Sequence, residues 1–162
     1  MKHLFLLLVI LISAVSTAQA QEIDTSIPYR LTNTFLGTSR SLDTYGDGKN
    51  TPFMGKTGKY TGQQWTLTPL GGGYYRLTNT FLGSSRSLDT YSNGKNTPFM
   101  GVSGNSGGQY WKLTANRQGY RLTNKFLGTA RSLDTYSNNK NDPFMCDSGT
   151  QAGQVWTLVP YR

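Results

Sequence analysis

YRLTNTFLGTSRSLDTYGDGKNTPFMGKTGKYTGQQW, residues 29–65, occurs three times in this chain. It returns as 75–111 and 120–156 with no gap inside any copy. The first two copies share 28 of 37 positions, the first and third 24. The copies start 46 and 45 residues apart. A repeat of this size is one supersecondary unit that buries its apolar face against its neighbours.

Within a copy, Tyr29–Asn33 alternates apolar and polar residues as a half-buried strand does. Gly37 breaks it, and Ser41–Tyr45 starts a second strand. Gly46-Asp47-Gly48 is a turn signal, Pro52-Phe53-Met54 a third strand, and Gln63–Thr68 a fourth. Four strands in each of three units make twelve, which predicts an all-β fold. A propeller of such units needs four or more blades. Three copies instead fit a β-trefoil, in which the first and fourth strands of each unit build a six-stranded barrel and the second and third form a capping hairpin. Phe35, Leu42, Phe53 and their copies are expected in the core.

Residues 1–20 stand apart. A basic start at Lys2 and His3, an apolar run from Leu4 to Ile12 and Ala18-Gln19-Ala20 read as a secretory signal peptide cleaved near Ala20/Gln21. The run is too short for a membrane-spanning helix of about 20 residues. Residues 21–162 then form one domain, with repeats 29–73, 74–119 and 120–162. Loss of Lys2 takes the formal charge from +8 to +7. That charge is compatible with acidic glycans or anionic surfaces, whereas export argues against nucleic acid. The one histidine, His3, leaves with the leader, which removes His-based nucleophilic and metal chemistry. No phosphate loop or dinucleotide fingerprint is present. No cofactor, metal or catalytic residue is therefore expected. Cys146 is the only cysteine, so the chain is read as a monomer, with a Cys146-linked dimer as the alternative.

Three Gln-x-Trp motifs (Gln63/Trp65, Gln109/Trp111 and Gln154/Trp156), in phase with the repeat, resemble the ricin B-type lectin family of β-trefoils. The openings Tyr-Arg-Leu-Thr-Asn and the segments Ser-Leu-Asp-Thr are similar to that family's first strand and its Leu-Asp-Val segment. The resemblance runs from Tyr29 to Leu158. It implies that the Asp at the start of each hairpin, here Asp43, Asp89 and Asp134, accepts hydrogen bonds from sugar hydroxyls. A carboxylate suits vicinal hydroxyls, although Asp also caps turns. Tyr45, Tyr91 and Tyr136, two residues on, share that strand face and offer rings for a pyranose to stack on, or packing against the hairpin. Asn50, Asn96 and Asn141 can both donate and accept, or serve the turn. Gln63, Gln109, Gln154 and the three Trp residues are assigned to the fold.

Two departures from the family stand out. If Phe53 is the buried residue of the third strand, the family's stacking position falls on Lys56, Val102 and Asp147, none aromatic. Gly62, Gly108 and Gly153 stand where Asn usually precedes Gln-x-Trp. The sequence thus predicts a secreted, non-catalytic carbohydrate-binding trefoil with up to three weak sites acting by avidity on polysaccharide or surface glycans. A protein-interaction or inhibitor-type trefoil, and basic-surface adhesion to acidic polymers through Arg30, Arg40, Lys49 and their copies, are the alternatives.

Overall fold

The repeated Tyr-Arg-Leu-Thr-Asn segment, its last three residues buried in every copy, opens each unit of a closed barrel. Its strands are β1 (Tyr29–Asn33), β4 (Trp65–Gly71), β5 (Tyr74–Asn79), β8 (Trp111–Asn116), β9 (Gly119–Asn124) and β12 (Trp156–Pro160). They hydrogen-bond around the ring in the order β1-β12-β9-β8-β5-β4, so the first and last strands are neighbours. The remaining strands form three hairpins: β2 (Arg40–Thr44) with β3 (Pro52–Lys56), β6 (Arg86–Thr90) with β7 (Pro98–Val102), and β10 (Arg131–Thr135) with β11 (Pro143–Asp147). This is a β-trefoil. The computed structural model describes residues 22–44, 51–90, 97–116, 118–135 and 142–161; the expected leader, Lys49, Tyr45, Asn50, Tyr91, Asn96, Tyr136 and Asn141 lie outside them.

The barrel interior is aliphatic. Leu31, Leu67, Leu77 and Leu122 are fully buried, with Leu113 and Leu158 packed against them. The hairpins close one end. Leu42 sits directly across from Met54, Leu88 from Met100 and Leu133 from Met145. All six are buried.

Trp65, Trp111 and Trp156 join cap to barrel. Each ring is wholly buried, and each indole N–H donates to a hairpin carbonyl, that of Leu42, Leu88 or Leu133, at 2.8 Å. A buried indole needs such a partner. Asn33, Asn79 and Asn124 stitch repeat to repeat. In each the side-chain oxygen accepts the amide of Leu36, Leu82 or Leu127 at 2.9 Å, closing the turn after the strand. Its amide donates at 3.0 Å to the hydroxyl of Thr135, Thr44 or Thr90 in the preceding hairpin.

Three expectations need correction. Phe35, Phe81 and Phe126 are not core residues but about half exposed (47–48%). The turn that carries Phe35 closes at Gly37, whose φ of 66° favours glycine; Leu36 turns inward while Phe35 faces out. Phe53, Phe99 and Phe144 also leave the core face. Successive strand residues alternate faces, so seating Met54 across from Leu42 puts Phe53 across from Asp43 on the other side. Finally, Gln63 is not in a strand. It ends a one-turn 3₁₀ helix, Thr61–Gln63, and β4 begins at Trp65.

Trp111→Phe removes the donor to the Leu88 carbonyl and leaves a void. The orphaned carbonyl alone costs about 1–3 kcal/mol, so urea unfolding should give an unfolding free energy lower by at least that much, read as a lower midpoint with an unchanged slope.

Candidate functional site

The outer face of each hairpin carries the sequence-derived aspartates. Asp43 is 8% exposed, Asp89 and Asp134 5%. One carboxylate oxygen accepts the next backbone amide, Thr44, Thr90 or Thr135, at 2.7–2.8 Å. The other accepts the side-chain amide of Gln63, Gln109 or Gln154 at 2.9–3.1 Å. The same glutamines also donate to the carbonyls of Lys56, Val102 and Asp147 and accept the amides of Gly58, Gly104 and Gly149. The 3₁₀ turn is thereby clamped over the hairpin, and the carboxylate is held in one orientation.

That clamp explains the glycine before each Gln-x-Trp. A Cβ at Gly62, Gly108 or Gly153 would stand 1.9–2.0 Å from the nearer aspartate oxygen. No side chain fits there while the carboxylate keeps its place, so the family's Asn could not be accommodated in this arrangement. The positions that match the family's stacking residue carry no ring. Lys56 and Val102 point outward and are exposed, and Asp147 pairs with Arg131 at 3.2 Å.

Beside Asp43 lies a shallow open hollow of about 380 Å³, lined by Asp43, Thr44, Lys59, Tyr60, Thr61, Gly62 and Phe81. Phe81 belongs to the next repeat. Its amide donates to Thr61 O at 3.3 Å, as that of Phe126 does to Gly107 O at 3.1 Å. The ring closes in the same sense: Thr34 donates to Val155 O at 2.9 Å, as Thr80 does to Gln64 O and Lys125 to Tyr110 O. The turn that carries Phe35 is thereby tied to the third repeat at Val155, just before Trp156. Asp43 thus shares its hollow with an exposed phenylalanine of the next repeat, and backbone bonds carry Phe126 and the Thr34-Phe35 turn to the loops of the second and third repeats. The one signal for it was a Phe in a Gly-closed turn.

Of the remaining candidates, Tyr45, Tyr91, Tyr136, Asn50, Asn96 and Asn141 lie outside the described residues. The arginines are largely committed to structure. Arg30, Arg76 and Arg121 donate to the carbonyls of Gly58, Gly104 and Gly149, and Arg40 and Arg86 to those of Met54 and Met100.

The third repeat differs at Cys146, where the others have glycine. Its sulfur lies 3.3 Å from Asp134 Oδ2, to which it donates, and 3.0 Å from the Gln154 amide. Burial, then the bond to Asp134, pushes the thiol up from the usual 9.0 to about 11.

The model of the ricin-type β-trefoil lectin domain-like family matches residues 61–154. No curated protein matches the chain in sequence. Among solved structures, a designed threefold-symmetric protein, ThreeFoil, aligns at 22% identity and TM-score 0.72, over 85% of this chain and all of that one. The Rhizoctonia solani agglutinin aligns at 19% identity and TM-score 0.66, over 83% of this chain and 94% of its own. An exo-β-1,3-galactanase from Clostridium thermocellum aligns at 22% identity and TM-score 0.72; 88% of this chain covers 31% of the enzyme. At these identities the likeness is one of fold.

Gly62→Ala should force Asp43 out of its bonds and cost about 1–3 kcal/mol, as overpacking does; thermal unfolding beside the control Gly104→Ala would measure it. Cys146 should react with a disulfide reagent at pH 8 about tenfold more slowly than an unperturbed thiol, because the raised pKa removes thiolate while the more basic thiolate regains part of the rate by its higher nucleophilicity. Absorbance of the released thiol gives the rate.

Proposed function

We propose, since the chain belongs to the ricin-type β-trefoil lectin domain-like family, that it is an exported, non-catalytic carbohydrate-binding module. Up to three weak sites, one per hairpin, would act together on a polysaccharide or a glycan-covered surface. One observation carries the reading: a carboxylate held by two hydrogen bonds (Asp43, Asp89, Asp134) recurs in each repeat, and at Asp43 it shares an open hollow with the exposed ring of Phe81 from the next repeat. Carboxylate oxygens retain lone pairs for hydroxyls, and a ring beside them offers a flat apolar face. Each site is shallow, so a single sugar would bind weakly. Three on one rigid frame gain by effective concentration.

Similar folds support this reading: an agglutinin, and SeviL, bound to the asialo-GM1 saccharide, 19% identical at TM-score 0.62. The absence of catalysis is supported by the repeat itself. The site acids are threefold copies, each held by the same glutamine and backbone-amide bonds, so no pair is set up as acid and base. Export rests on the leader-like residues 1–20.

The test is a glycan array probed with residues 21–162 at low and near-physiological salt, beside the triple variant Phe35→Ser, Phe81→Ser, Phe126→Ser. These rings are half exposed, so the variant should keep its fold. Salt-resistant binding that the variant loses is the expected result. Binding only to sulfated or uronic glycans, collapsing with salt and unchanged in the variant, would assign adhesion to the basic surface instead.

A further inference from the structure

The three hairpin sites share their aspartate but not the residue facing it from the 3₁₀ loop. That position is Tyr60 in the first repeat, Ser106 in the second and Gln151 in the third. Tyr60 is 56% exposed, yet its ring is not loose. A Cβ built on Gly58 would meet ring atoms of Tyr60 at 2.4, 2.9 and 3.2 Å, so the ring lies against the Gly58 backbone. Gly58 is itself fixed from both sides: its amide donates to Gln63 Oε1 at 3.0 Å, and its carbonyl accepts Arg30 Nη2 at 2.8 Å. One side of the ring is thus seated on anchored backbone and the remainder is open to the hollow that also holds Asp43, Thr44 and Phe81.

We propose that this hollow is the principal site, and that Tyr60, seated on Gly58, is the platform on which a pyranose ring of the glycan lies. The proposal rests on the carbohydrate reading above and adds to it the order of the three sites and the residue that sets it. The negative face of an aromatic ring attracts the polarised C–H groups of a sugar. A ring already held in place loses little freedom on binding. Phe81, from the second repeat, borders the same hollow, so the ligand touches two repeats at once. The second repeat offers Ser106, whose hydroxyl turns 3.4 Å to Asp89 Oδ1. The third offers the Gln151 side chain, folded onto Gly149, and there Asp134 is already engaged by Cys146.

The glycine gives a way to move the platform without changing its chemistry. Gly58→Ala should lift the Tyr60 ring, whereas at Gly104 nothing stands closer than 3.9 Å, so Gly104→Ala is its control. Isotope-labelled protein, residues 21–162, would be titrated with the methyl pyranosides of galactose, glucose, mannose and N-acetylglucosamine while amide shifts are followed. For whichever sugar binds, the largest shifts should fall on Gly58, Tyr60, Thr61, Gly62 and Phe81. Tyr60→Ala and Gly58→Ala should each weaken that site about tenfold; Tyr60→Phe and Gly104→Ala should not. Ser106→Tyr should strengthen the second site, a gain that a misfolded variant cannot mimic. Equal shifts at all three hairpins, or unchanged affinity in Tyr60→Ala, would overturn the ordering while leaving a lectin. No shift with any sugar, together with a blank glycan array, would overturn both readings.

Discussion

Each Gln-x-Trp motif holds two consecutive residues of its hairpin. The indole of Trp65 takes the carbonyl of Leu42, and the amide of Gln63 takes the carboxylate of Asp43. Side chains two apart in sequence thereby fix the hairpin's inward residue to the barrel and its outward residue to the loop. The barrel needs the first bond so that no buried donor goes unmet. The loop needs the second, because the glutamine is also what ties down Gly58 and the end of β3. The fold's signature and the candidate site therefore share atoms. Asp43 cannot be read as either structural or functional, since the bonds that make it structural are the ones that aim it.

This sharing explains why glycine is required at position 62. Most lectin-like trefoils would gain a polar side chain there; this one has brought the carboxylate so near the loop that no Cβ fits. The rings that border the Asp43 hollow come from elsewhere, Phe81 of the neighbouring repeat and Tyr60 of the loop.

How far the sequence could be read follows the range of the interactions. Strand placement and barrel membership were legible, because alternation and repeat phase are local signals. The face of Phe53 was not. Pro-Phe-Met offers two apolar residues on opposite faces, and only the pairing of Met54 with Leu42 across the hairpin decides between them. Phe81 was missed as a partner of Asp43 because it belongs to another copy; comparing copies aligns Phe81 with Phe35 and hides that it serves the repeat before it. Burial alone would have kept all these phenylalanines inside, whereas folded surfaces retain much apolar area.

The ring is closed by β1 and β12, with Tyr161 donating to Pro28 O at 2.9 Å as the last link. Sequence distance around the ring is therefore uneven. The bonds from Asn79 to Thr44 and from Asn124 to Thr90 span 35 and 34 residues, but that from Asn33 to Thr135 spans 102. During synthesis the first two junctions can assemble as the chain emerges, whereas the third waits for the final strand, and long-range closure is slow. The junction between Asn33 and Thr135 is thus a clock within a nearly threefold object: it exists only once the third repeat has been made. Joining the ends and reopening the chain in the Gly71–Gly73 turn would pass that late role to the junction of Thr44 with Asn79 while keeping the threefold set of junctions.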